Sequence, residues 1–388
     1  MRRFGVICVL LAIASTAHAD TSQAKDFIDD AKLFYRVVAC GSNDPLPAGF
    51  DQKIVDAHCK EMLEREETFR TKYTTPAGAF FATLRPANLP TTVVYPFGGG
   101  DLVGALVVYP DAREITTLSL EHPGDPTRLA GLDKKHLKSS LALFRDVVKG
   151  LLVNNDSATE NMLKLEKGPI PGQLGFFITG LAVMGYEPVS LKYFTIDPTG
   201  AVVYLTEADI AAKADTKAKK IKGKWVDTDY SQAFDNMELT FRKKGDPTAP
   251  LIVHRHIAAN LADDKLEHSP LAAYLESRGK IVAMTKAASY LLWFSGFGVI
   301  RDYLLDHMQW MVSDSTGIPP RYAKKKGFTQ TTYGTFEGAY LDDASADVAE
   351  TFVDLWKSQK HRKLPFRFGY PDSAGNVHMM ITAPKEPK

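Results

Sequence analysis

Apolar residues recur along this chain with two periods that alternate from segment to segment. Near the N-terminus, Phe27, Ala31, Phe34 and Val38 stand three or four residues apart. Val55, Cys59 and Met62 do the same after a polar linker over 41–47. Such spacing lines up side chains on one helical face, so the two segments predict a helical hairpin. Residues 91–95 then read as a buried strand that Pro96 ends. Gly98, Gly99, Gly100 and Asp101 form a turn, 102–108 is an apolar helix, and 114–120 is the next strand. Strand, glycine turn, helix and strand in succession open an α/β unit.

The same alternation continues toward the C-terminus. Residues 132–152 contain a helix with Leu137, Leu141, Phe144 and Val148 on one stripe, and 175–184 form another that ends near Gly185. Strands at 191–196 and 201–205 flank Asp197-Pro-Thr-Gly200, a turn that predicts a β-hairpin and therefore a mixed sheet. Strands follow at 237–241 and 251–257, around a turn at 245–247. Ser269-Pro270 opens a helix that Gly279 closes. Residues 281–294 fit either strand or helix. Ile300, Leu304, Met308 and Met311 mark an amphipathic helix, 328–336 a strand, Val348, Phe352, Leu355 and Trp356 a helical stripe, and 377–382 a closing strand. The expected fold class is α/β, with a mixed, largely parallel sheet flanked by helices and an N-terminal helical hairpin. The hairpin occupies 20–72 and a single mixed α/β domain 73–388.

Residues 1–19 read differently. Arg2 and Arg3 precede an apolar run over 4–14, and Ala17-His-Ala19 supplies a small-x-small cleavage site, the three parts of a secretory signal peptide. At about 1.5 Å per residue the run falls well short of a hydrocarbon core of roughly 30 Å, so no transmembrane anchor is expected after cleavage. Removing Arg2 and Arg3 from the 47 basic residues leaves 45 against 46 acidic ones, a formal charge of −1. That balance offers no basis for binding nucleic acid. Six lysines between Lys213 and Lys224 form the one dense basic run, read as a solvated loop. Cys40 and Cys59 remain. In an oxidising compartment they are expected to pair and tie the hairpin, removing denatured-state entropy worth about 3 kcal/mol, with two buried thiols as the other reading. A periplasmic or secreted, soluble protein is expected.

The strongest candidate site is the segment Tyr95-Pro-Phe-Gly-Gly-Gly-Asp101. Glycines without Cβ let backbone N–H groups approach a ligand, and the following helix presents its positive end. The GxGxxG fingerprint is incomplete, with Leu102 and Gly104 where it would continue, and no cofactor is expected. Phe97, Gly98, Gly99, Gly100, Glu121 and Tyr322 are the expected ligand-binding residues. Asp101 and His122 are acid–base candidates, and Arg321, held by Pro319 and Pro320, completes the catalytic set. His254 and His256 share one face of a strand. They ligate a metal only if Asp263, Asp264 or His268 joins them, and no metal is expected. The chain has no GxSxG and no HExxH; Ser289 and Ser295 read as packing residues, and Asp302 and Asp306 as a solvent-facing pair.

Tyr95-Pro-Phe-x-Gly-x-Asp101, Met184-Gly-Tyr-Glu187, Ser289-Tyr-Leu291 and the stretch 314–322 together resemble an uncharacterised family of exported bacterial proteins. The resemblance implies a single body in the periplasm or outside the cell and brings no activity. The function expected is binding of an unidentified small molecule or envelope component at a glycine-turn cleft, in a non-enzymatic or structural role. A hydrolase of an envelope or extracellular substrate is the alternative.

Overall fold

The computed structural model describes residues 24–154, 164–165, 169–213, 219–221, 224–226, 231–286, 288–338, 346–369 and 377–385. The signal-like segment and part of the lysine run lie outside them. The helices are α1 (Ile28–Val37), α2 (Gln52–Phe69), α3 (Thr75–Leu84), α4 (Leu102–Val108), α5 (Lys134–Asn154), α6 (Gly172–Met184), α7 (Glu207–Lys213), α8 (Asp263–Leu266), α9 (Pro270–Glu276), α10 (Gly298–His307), α11 (Pro320–Lys325) and α12 (Ala346–Lys357). The strands are β1 (Thr92–Pro96), β2 (Glu114–Ser119), β3 (Tyr186–Ile196), β4 (Val202–Tyr204), β5 (Lys219–Ile221), β6 (Lys224–Val226), β7 (Asn236–Lys243), β8 (Ile252–Ala258), β9 (Ile281–Thr285), β10 (Met308–Ser313), β11 (Phe328–Thr335) and β12 (Val377–Pro384).

Ten strands form one mixed sheet in the order β11-β12-β10-β9-β1-β2-β8-β7-β3-β4. The central block β10-β9-β1-β2-β8 is parallel, and both wings are antiparallel. Side chains of the central strands alternate between two cores, as a period of two requires. Val93, Tyr95, Val282, Met284, Trp310 and Val312 face the core that also contains residues of α1 to α6. Val94, Ala283, Ile281 and Met311 face the core that contains residues of α8 to α11. Helices on both faces explain why these strands are apolar on both sides.

The N-terminal hairpin is joined by the Cys40–Cys59 disulfide, whose Cα atoms are 5.4 Å apart. Phe27, Ala31 and Phe34 of its first arm are buried in the same core as the sheet. Asp51 caps α2 by accepting a hydrogen bond from the Ile54 N–H at 3.1 Å. α2 does not stop where the hairpin reading ended; it passes through a π-turn at Arg70–Thr74 into α3.

One element departs from its sequence reading. Met308 and Met311 belong not to a continued helix but to β10, which starts directly after His307. A bulge between Met308 and Trp310 shifts the register, so Met308 and Met311 face the same core with a helix-like interval. The ambiguous 281–294 stretch divides into β9 and a 3₁₀ turn over Ala288–Trp293.

Candidate functional site at the carboxyl edge

From β1 the chain steps through β2 toward β8 on one side, then returns to lay β9 and β10 on the other. The carboxyl ends of β1 and β9 therefore flank a switch point, where open α/β sheets form ligand crevices. The residue following β9 is Lys286, and the turn following β1 ends in Asp101. Their side chains meet at 3.0 Å, Lys286 Nζ to Asp101 Oδ2, with 5% and 2% of each side chain exposed. Desolvating two charges costs several kcal/mol per ion, so such a pair survives only with close geometry and further hydrogen bonds. Asp101 has both. Its Oδ1 accepts the Gly104 N–H at 2.9 Å as the cap of α4, and its Oδ2 accepts the Tyr95 hydroxyl at 3.1 Å. Burial and the neighbouring carboxylate push the Tyr95 phenol well above its ordinary range, so it stays a donor.

The glycine turn itself is closed. Gly98, Gly99 and Gly100 are buried, and a Cβ at Gly100 would fall 2.5 Å from the Phe176 ring. At Gly98 it would fall 3.0 Å from Tyr95. The glycines let α6 and the Tyr95 ring pack onto the turn, and the open backbone cradle expected from sequence is not what they form. The strain lies one residue earlier, at Phe97, whose φ of 59° is left-handed for a side chain with a Cβ.

The neighbouring strands end in polar residues too. Thr285 of β9 pairs in register with Ser313 of β10, so Lys286 and Asp314 follow side by side. Ser313, Asp314, Ser315 and Thr316 are fully buried. Asp314 Oδ1 accepts the Thr316 N–H at 2.8 Å and its hydroxyl as well. Ser315 Oγ lies 2.8 Å from Nε2 of His378, near the start of β12. The Phe368-Gly369 segment joins the two groups: Lys286 Nζ sits 5.7 Å from the Phe368 ring centre, and a Cβ on Gly369 would fall 2.9 Å from Asp314 and 3.2 Å from the His378 ring.

His122 and Arg321 belong elsewhere. His122 Nδ1 faces Asp235 Oδ1 at 3.4 Å. Arg321 is exposed on α11 and lies against Tyr322, which also carries the Arg301 guanidinium at 4.0 Å from its ring centre. Tyr322 thus serves as a stacking platform, and among the described residues Arg321 has no contact with Asp101 or His122. The oxygens of Asp101 are held by Tyr95, Gly104 and Lys286, and none of these partners is His122 or Arg321. Glu121 accepts Gln173 Nε2 at 3.4 Å, and its carbonyl accepts His256 Nε2 at 2.8 Å.

His254 and His256 do share a face, both buried around Thr117. Because His256 Nε2–H donates to the Glu121 carbonyl, its Nδ1 is the acceptor of the Thr117 hydroxyl at 2.8 Å. The same hydroxyl oxygen then accepts His254 Nε2–H at 2.8 Å. Burial holds His256 down at about 4 and His254 well below its ordinary value, so both imidazoles are neutral. Among the described residues no group of three His, Cys, Asp or Glu is placed to hold a metal ion.

Sequence reasoning missed Lys286, Ser315 and His378. The signals available were a lysine directly after an apolar β-rich run, and small polar residues packed together at 313–317. No known protein-family model matches the chain, and no curated protein does.

Proposed function

We propose that this is an exported protein that binds a small polar molecule or an envelope component at the carboxyl edge of its parallel strands, over the β1/β9 switch point. The buried Asp101–Lys286 pair carries the reading: a fold with apolar cores on both faces gains little stability from an internal ion pair, and its position coincides with the ligand crevice of open α/β sheets. The left-handed Phe97 at the same strand end supports it, since strained residues concentrate at ligand sites. Export is supported by the signal-like N-terminus and by the disulfide.

The test is native mass spectrometry of protein purified from the export compartment, followed by thermal unfolding against a panel of carboxylates, sugars and peptidoglycan fragments. A retained mass, or a ligand that raises Tm in the parent and not in Lys286→Met, is the expected result. An empty protein indifferent to the whole panel would end this reading.

A further inference from the structure

The turn after β10 shares one feature of a nucleophile elbow, a serine between a strand and a helix with small residues two before and two after it. Ser315 itself is fully buried and its backbone is not left-handed. Here the order is Ser313-Asp314-Ser315-Thr316-Gly317, between β10 and α11. A Cβ on Gly317 would fall 2.4 Å from Ser313 Oγ, so the two flanking positions touch and the turn closes under Ser315. The Gly317 N–H donates to the Asp314 carbonyl at 3.2 Å and fixes that bend.

A base stands at the nucleophile. The Ser315 hydroxyl lies 2.8 Å from His378 Nε2, within the reach that proton abstraction needs. The imidazole is held by aromatic rings, Phe336 at 4.9 Å and Trp356 at 5.7 Å between centres. A Cβ on Gly369 would fall 3.2 Å from the His378 ring and 2.9 Å from the His378 carbonyl oxygen. Phe336, Trp356, Phe352 and Trp293 form an aromatic cluster separate from the two main cores. An apolar wall beside a hydroxyl–imidazole pair suits an ester with an apolar portion better than a charged polymer.

We propose that Ser315 is the nucleophile of an acyl-transfer reaction on apolar carboxylic esters, with His378 as its general base. Ser315 Oγ attacks the ester carbonyl carbon while its proton passes to His378 Nε2. The carbon–oxygen bond to the alcohol then breaks, and the departing alkoxide takes that proton. Water attacks the acyl-serine, yields a proton to His378, and leaves as the carboxylic acid while Ser315 recovers its hydrogen. The proposal rests on the preceding reading only in taking the carboxyl edge as the face that meets ligands.

A fluorophosphonate probe tests it on the full folded chain, read by intact mass and peptide mapping. One adduct at Ser315 is expected, absent in Ser315→Ala, retained in Ser295→Ala, and formed at least about 100-fold more slowly in His378→Gln. p-Nitrophenyl butyrate hydrolysis should follow the same order. Circular dichroism and Tm of each variant identify any that fails to fold. No adduct on natively folded parent protein, or an adduct that survives in Ser315→Ala, overturns the proposal. Labelling at Ser315 with no ligand-dependent rise in Tm would retain the nucleophile and remove the binding reading; a Tm response without labelling would do the reverse.

Discussion

Two buried imidazole–hydroxyl clusters occupy this sheet, and their positions along the strands set them apart. Thr117 with His254 and His256 lies within the strands β2 and β8, roofed by Phe177 at 4.5 and 5.1 Å from the two rings. Ser315 with His378 lies where β10 has just ended, beside the residues that follow β9. In the first cluster the backbone on both sides is committed to the ladder, so nothing can enter without breaking the sheet. In the second, His378 is held in the β12 ladder opposite Gly334, and only Ser315 lies past the end of its strand. Burial alone is thus a poor guide to function in this protein, and burial at a strand terminus a better one.

The largest effect should come from the ion pair at that edge. Lys286→Met leaves the Asp101 carboxylate buried without its cation and is expected to cost about 3–5 kcal/mol in urea unfolding, with much of the loss recovered in the Asp101→Asn/Lys286→Met double variant. If the single variant unfolds like the parent, the edge is wetter than its burial implies. Replacing Cys40 and Cys59 together by Ala should cost about 3 kcal/mol and leave probe labelling intact, since neither Ser315 nor His378 belongs to the hairpin.

Thr117→Val and Ser315→Ala make the direct contrast. Each removes the hydroxyl partner of buried imidazole nitrogens and should cost about 1–3 kcal/mol, yet only Ser315→Ala should end labelling. Equal labelling in both variants would erase the distinction drawn between the clusters.

Smaller effects should appear in the pH dependence. Burial holds the His58 and His256 imidazoles down at about 4, and His254 well below its ordinary value. In the unfolded chain each takes up a proton near its usual value of about 6.5. Stability from these groups is therefore complete above about pH 6.5 and declines as pH falls toward 4. Glu66 acts with the opposite sign. Burial pushes its carboxyl up to about 8 against the opposing pull of Arg70, so the folded state keeps a proton that the unfolded state releases near its ordinary value of about 4.5. Stability from Glu66 falls between these values as pH rises. Glu66→Gln should raise Tm at pH 8.5 and change it little at pH 4.5, whereas Thr117→Val should lower it at both.

Much of the scaffold was legible in the pattern of apolar residues. The glycine turn, the helix over 102–108, the 197–200 hairpin and the cysteine pair all depend on residues close in sequence, where local rules act. β10 was misread because its bulge copies a helical interval. The site was less accessible. Asp101 was placed at the end of the glycine turn, but the cation that explains its burial lies 185 positions away, and His378 lies 63 positions from Ser315. Glycines that make room for an aromatic ring cannot be told from glycines that make room for a ligand by spacing alone, and Phe176 decided which these were.

The strand order also sets a timetable. β1 is completed early in synthesis, yet its Val93 pairs with Val282 on one side. Closing the sheet therefore waits on a contact between strands far apart in sequence, and until it forms one edge of the central strand stays open and the Asp101 carboxylate has no ammonium to meet. Refolding should accordingly be slow, with the hairpin gaining protection from hydrogen exchange first and the sheet centre last. Vulnerability to aggregation should be greatest in chains truncated just ahead of β9.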